Sequence, residues 1–213
     1  MEPSFWHERW ASGRTAFHQP KGNPLLAKHL AALALAPGAS VFVPLSGKTG
    51  DIGWLLSQGF NVVANELSEM AIKELFDELD LTPVVQAKGA LKAYRAERLT
   101  VFVGDFFDLD KEMLGPVDAV YDRAALVALP DDRLRKRYAE HLHTIAYKAP
   151  QLVITFEYAD GVLEGPPFSV SPHNIAKMHG PHYMLAEVER RGASGSLSDV
   201  AAIEEVVWIL TPN

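Results

Sequence analysis

Apolar positions along the chain gather in short runs rich in β-branched and aromatic residues, separated by longer stretches with helical periodicity. The runs at residues 41–44, 61–68, 99–109, 117–129 and 152–158 predict five strands, the fourth with its carboxyl end at Asp122 and Arg123. Helical patterns fall between them. Residues 23–33 carry Asn23 as a cap with Pro24 at the first helical position, residues 68–79 are capped by Ser68, and Pro130 and Asp131 open a helix that runs to about residue 146. A further helix starts at Ser171 and Pro172. Residues 80–98 are polar and basic, show no clear periodicity, and are expected to run over the surface. Residues 183–191 and 202–210 read as an antiparallel pair. Strands alternating with helices and closed by such a pair predict an α/β fold: a doubly wound, mostly parallel seven-stranded sheet with an antiparallel edge.

The stretch from Val41 to Asp51 organises the rest. A strand stops at Pro44, gives way to Gly47 and Gly50, and passes at Asp51 into the apolar pattern Ile52, Trp54, Leu55, Leu56. The next strand ends at Glu66, roughly 20 positions beyond the glycine loop, where doubly wound folds place the acid that binds ribose hydroxyls. The ligand implied is an adenosine compound at the carboxyl ends of the first two strands. The dinucleotide spacing G-x-G-x-x-G is absent. Gly47, Lys48 and Thr49 match the end of a phosphate-binding loop, but the first glycine of such a loop would fall at Phe42, inside the strand. An adenosine ligand without phosphates fits better. S-adenosylmethionine would lay its amino-acid arm along the loop and its ribose against Glu66.

Other chemistry collects at the same predicted edge. Asp105 and Phe106 follow the third strand, either to frame an adenine ring or, for Asp105, only to cap a turn. Asp122 and Arg123 end the fourth. The N-terminal segment places Phe5, Trp6, Trp10 and Arg14 at helical spacing and continues through Phe17 and His18. These aromatics either pack on the core or form a lid over a ligand, and a sulfonium ion is attracted to an indole face.

Composition narrows the partners. The 213 residues are expected to form one domain, with residues 1–22 as the lid, and 48% hydrophobic content is ordinary for a globular protein. A net charge of −7 argues against general affinity for nucleic acid or anionic membranes. The chain has no cysteine, which removes thiolate metal sites and a cysteine nucleophile, and no metal site is expected. The charged, aromatic start lacks a secretory core, and no apolar run reaches a membrane span, so the cytoplasm is the expected compartment and a monomer the simplest state.

With these residues in view the chain resembles the thiopurine S-methyltransferase family along nearly its whole length. The resemblance is carried by Trp6-His-Glu-Arg-Trp10 with Thr15-Ala-Phe-His-Gln19, by Val43-Pro-Leu-Ser-Gly-Lys48 followed by Asp51, and by Asn65-Glu-Leu-Ser68. It continues in Tyr121-Asp-Arg-Ala-Ala-Leu126, Gly165-Pro-Pro-Phe168 and Glu204-Glu-Val-Val-Trp208. It implies a class I, Rossmann-like methyltransferase fold, with S-adenosylmethionine bound by Trp10, Leu45, Glu66, Phe106 and Arg123, beside Gly47 and Asp105. It also implies transfer to the sulfur of aromatic and heterocyclic thiols, with selenium and tellurium compounds as further acceptors, and S-adenosylhomocysteine as the product. Phe17 and His18 would face the acceptor, His18 placed to take a proton. Arg123 would stabilise a thiolate without exchanging its own proton, since arginine stays charged. The family's Pro-Leu-Cys-Gly-Lys block has Ser46 in place of cysteine here. The shortened Gly/Ser-rich stretch after Arg191 leaves only Arg190 or Arg191 for a second acceptor-side arginine. Two other classes stay open: an ATP-binding enzyme built on Gly47, Lys48 and Thr49, and a non-catalytic protein that binds metalloid or thiol ligands.

Overall fold

Three consecutive residues of the first strand, Val41, Phe42 and Val43, are all buried, as a strand with helices on both faces requires. The structure is a computed structural model and describes residues 3–15, 19, 21–193, 197 and 202–213. Its strands are β1 (Ser40–Val43), β2 (Asn61–Glu66), β3 (Val84–Lys88), β4 (Leu91–Ala96), β5 (Leu99–Val103), β6 (Ala119–Arg123), β7 (Gln151–Glu157), β8 (Tyr183–Gly192) and β9 (Glu204–Pro212). They form one nine-stranded sheet in the order β3-β4-β5-β2-β1-β6-β7-β9-β8. β5, β2, β1, β6 and β7 run parallel, and the β7–β9 and β9–β8 pairs are antiparallel. The seven predicted strands are therefore present with their antiparallel edge.

The surface excursion expected over residues 80–98 is instead a β-hairpin, β3–β4, which adds two antiparallel strands beside β5. β4 buries Leu91, Ala93 and Tyr94, whereas every residue of β3 is exposed, so β3 shows no in-out alternation for a sequence reading to find. The turn pairs Lys88 with Leu91 across Gly89 and Ala90, and Gly89 takes φ +60°, the left-handed conformation that two-residue hairpins favour.

Helices cover both faces. α2 (Pro24–His29), α3 (Gly50–Ser57) and α4 (Glu69–Glu78) lie on one, where Leu26, Ile52 and Phe76 meet Val41 and Val43. α5 (Lys111–Leu114), α6 (Asp132–Ile145) and α7 (Pro172–His179) lie on the other, where Leu142 and Ile175 meet Phe42. The alternation of Val41, Phe42 and Val43 between two core layers follows from the pleat. Caps fix the helix starts: Asn23 accepts from the Leu25 amide, Ser68 from Ala71, and Ser171 exchanges side-chain bonds with Asn174 in a capping box. The predicted helix over 23–33 tightens to a 3₁₀ turn from Leu30 to Leu33. α1 (Pro3–Ala11) packs its Trp10 inward at the carboxyl end of the sheet. No described helix is long and apolar enough to cross a membrane.

From β1 the chain winds one way to β2 and β5, then the other way to β6 and β7. The crevice beyond the carboxyl ends of β1 and β6 is the switch point where such sheets hold ligands.

Candidate functional site

The glycine loop and the acid of β2 are joined directly. Gly47 donates its amide to Oε2 of Glu66 at 2.8 Å, and Ser68 donates its amide to Oε1 at 2.8 Å. One carboxylate thus ties the loop after β1 to the start of α4. The Leu67 amide also favours the carboxylate, so the group is held by backbone donors of one short segment and of the glycine loop. Burial pushes the Glu66 carboxyl above its ordinary value, and the amides of Ser68 and Gly47 pull the other way. Gly47 sits at φ +54°, and a Cβ there would lie 3.1 Å from the Trp10 ring. Leu45 shares the loop at φ +47° and packs toward the α6 layer.

Beside Glu66 lies a cavity of about 390 Å³, walled by His7 and Trp10 of α1, Leu67 and Ser68 after β2, Ala90 of the hairpin turn, and Val103. Its volume suits a small molecule. The structure thus brings Trp10, Gly47 and Glu66 together, Gly47 bonded to Glu66 and packed against the Trp10 ring, and Trp10 also walls the cavity. Arg123 ends β6 on the other side of β1, and its buried Nε has no hydrogen-bond partner among the described residues. Asp105 is exposed and caps a 3₁₀ turn, accepting from the Phe107 amide at 2.9 Å. Phe106 is buried in the α6 layer, its ring 4.9 Å from Tyr138 and 5.1 Å from His141. Phe17 and His18 lie outside the described residues.

Two polar ties have no signature in the sequence. Asp51, nearly inaccessible at 1% exposure, accepts from the Asn23 amide, from the Thr49 hydroxyl at 3.0 Å and from the Tyr121 hydroxyl at 3.0 Å. Burial raises the Tyr121 hydroxyl well above its ordinary value, so it remains a donor. One carboxylate therefore pins α2, α3 and β6 at the edge of the site. The second tie is Glu205, fully buried, which holds Arg191 at 2.9 Å. Arg190 is held by Glu157, Glu187 and Glu204. Both arginines that the sequence offered for the acceptor are therefore engaged by carboxylates.

The phosphate-loop alternative loses its lysine. Lys48 pairs with Glu74 at 3.0 Å and Glu78 at 2.6 Å on α4, and Thr49 caps α3. The lysine is committed to a neighbouring helix instead of facing a nucleotide.

A doubly wound sheet with an acid-anchored glycine loop at its switch point defines the class I methyltransferase architecture, and solved structures agree. The 1,6-didemethyltoxoflavin-N1-methyltransferase of Burkholderia thailandensis, solved with S-adenosylhomocysteine and 1,6-didemethyltoxoflavin, superposes with a TM-score of 0.70 at 16% identity, over 99% of this chain and 87% of that one. A SAM-dependent methyltransferase of Anabaena variabilis gives 0.67 at 12% identity, over 99% and 95%. At such identities the likeness is one of fold. Sequence goes further: the profile of the thiopurine S-methyltransferase (TPMT) family matches residues 1–212. Proteins named thiopurine S-methyltransferase are 49% identical in Xanthobacter autotrophicus, over 99% of each chain, and 47% identical in Teredinibacter turnerae, over 100% of this chain and 99% of that one. The chain belongs to the thiopurine S-methyltransferase family of S-adenosylmethionine-dependent methyltransferases.

Proposed function

We propose that the protein transfers a methyl group from S-adenosylmethionine to the sulfur of aromatic and heterocyclic thiols, in the cytoplasm and as a monomer. The observation that carries the acceptor is Arg123. A cation at a strand's carboxyl end whose buried Nε finds no partner among the described residues is a place for an anionic ligand, and a thiolate meets that description.

The residues fit the donor. Glu66 is a carboxylate oriented by backbone amides at the end of β2, suited to accept from ribose hydroxyls, and the loop of Leu45 and Gly47 presents close backbone that a side chain at 47 would obstruct. The Trp10 indole covers that loop. Asp105, exposed above the turn it caps, and Phe106, buried beneath it, are assigned to the adenine end. Bound S-adenosylmethionine supplies a methyl group carried on a sulfonium, ready for in-line displacement.

The protein's own part is placement and shielding. Arg123 holds the acceptor sulfur as its thiolate, without exchanging a proton. Such thiols ionise readily, so no strong base is needed; Phe17 and His18 are assigned to the acceptor side, with His18 available for a residual proton. Trp10 and the rest of α1 exclude water, which favours the meeting of a cation with an anion that both lose charge on reaction. Selenium and tellurium compounds are soft nucleophiles of the same kind and are included as acceptors. Without cysteine, the chain has no thiolates with which to sequester metalloids.

The test is incubation of purified protein with S-adenosylmethionine and a mercaptopurine, with S-methylated product read by mass spectrometry. Product that falls away in Glu66→Ala through weaker donor binding, and in Arg123→Ala through a raised acceptor KM, supports the assignment. Unchanged kinetics in both variants would overturn it.

A further inference from the structure

The buried Nε of Arg123 makes no bond to the described residues, so no bond there fastens the guanidinium, and the backbone that carries it is unusual. Ala124 follows at φ +69°, a left-handed conformation that non-glycine residues rarely hold without support, and a 3₁₀ turn from Leu126 to Ala128 begins two residues later. The support lies on the opposite face of the strand. Asp122, fully buried, accepts from the Tyr138 hydroxyl of α6 at 2.7 Å. The amides of Ala125 and Leu126 favour its ionised form, although Oδ1 completes no hydrogen bond of ordinary geometry. The Tyr138 ring in turn packs on Phe106.

We propose that Asp122 is a positioning residue for methyl transfer: its buried carboxylate, held by the Tyr138 hydroxyl, fixes the turn at Ala124 and thereby aims Arg123 at the acceptor. This rests on the assignment of Arg123 to the acceptor. A neutral side chain at 122 removes the anion toward which the Ala125 and Leu126 amides and the Tyr138 hydroxyl are directed, and the turn slackens. The charge is costly where it sits: burial pushes the Asp122 carboxyl up to about 6, against the pull of the Tyr138 hydroxyl and the two amides. The groups facing it are Tyr138, whose hydroxyl is raised well above its ordinary value and stays protonated, and beyond the Phe106 ring His141, whose Nε2 bonds the Leu109 carbonyl. Acidification therefore neutralises Asp122 within the range where the enzyme can be assayed.

The experiment measures kcat and KM from pH 5 to 9 with S-adenosylmethionine and an electron-poor aryl thiol that stays ionised throughout, for wild type, Asp122→Asn, Tyr138→Phe and Arg123→Ala. Wild type is expected to show an acid limb near pH 6. Asp122→Asn should lower kcat/KM by about 10- to 100-fold, the scale of a small misplacement, and abolish that limb. Tyr138→Phe, which removes a bond that lowers the Asp122 pKa, should move the limb to higher pH; this variant keeps the proposal testable if Asp122→Asn folds poorly. An acid limb that stays in place in Tyr138→Phe, or wild-type rates and pH profile in Asp122→Asn, would overturn the role of Asp122 while Arg123→Ala still loses acceptor affinity. Full activity in Arg123→Ala would instead overturn the acceptor assignment, and the positioning role with it.

Discussion

At the scale of single residues, the site turns on positions where a side chain would be in the way or a charge would be stranded. Gly47 is the first kind. It holds φ +54° while a Cβ would stand 3.1 Å from Trp10, so alanine there meets both a left-handed backbone and the Trp10 indole. The backbone alone costs about 1–2 kcal/mol. Gly47→Ala is expected to weaken S-adenosylhomocysteine binding by about tenfold, corresponding to ~1.4 kcal/mol, as read by isothermal titration calorimetry. An unchanged dissociation constant would contradict the loop's part in holding the donor. Gly47 and Glu66 were legible from their spacing, because the strand-loop-helix pattern places them at one edge. That they bond each other was not, because the bond depends on the register of β1 and β2.

At the scale of elements, junctions decide more than the helices do. Asp51 stands at the start of α3 yet receives donors from Asn23 before α2 and from Tyr121 of β6. Asp51→Ala strands those donors in a buried place, with an expected loss of about 3 kcal/mol. For a domain of this size that lowers Tm by roughly 6–12 °C, measurable by scanning calorimetry; a shift under about 2 °C would show that the tie is redundant. The sequence marked Asp51 as a helix-start residue and as part of a family block, but not as a tie between these elements. The β3–β4 hairpin escaped for a related reason: an edge strand exposed along its whole length carries no alternation, and only its pairing with β4 reveals it.

At the scale of the whole molecule, helices and sheet meet in a second polar cluster, at the amino end of β7 and away from the site. His143 near the end of α6 and His179 at the end of α7 share a hydrogen bond of 2.9 Å, with His182, Tyr183 and Lys148 alongside. Burial, with neighbouring cations, lowers His143 to about 4 and His179 to about 3, from 6.5. The unfolded chain therefore takes up protons below about pH 6.5 that the folded chain refuses, and each histidine contributes a loss approaching 1.4 kcal/mol per pH unit between those limits. Asp122 works in the opposite sense: its folded pKa of about 6 lies above the ordinary 3.8, so acidification below about 6 relieves its burial. The histidine contribution is isolated by difference. Relative to wild type, a His143→Gln/His179→Gln variant should gain on the order of 2 kcal/mol or more between pH 7.5 and pH 5 in chemical denaturation. A difference that stays constant with pH would show that the pair accepts protons in the folded state.

The sequence by itself determined the alternation of strands and helices, the glycine loop with its acid, and the aromatic N-terminal segment. These follow from local periodicity, capping chemistry and spacing, which need no knowledge of what lies across the sheet. Tertiary structure alone decided that Lys48 turns to α4, that Arg190 and Arg191 are held by carboxylates, that Phe106 is buried against Tyr138, and that Asp122 is bonded by the Tyr138 hydroxyl of α6. Each of these depends on which side chains from distant parts of the chain share a low-dielectric space. Pairing, desolvation and direction are properties of that shared space, and a linear pattern of residues does not contain them.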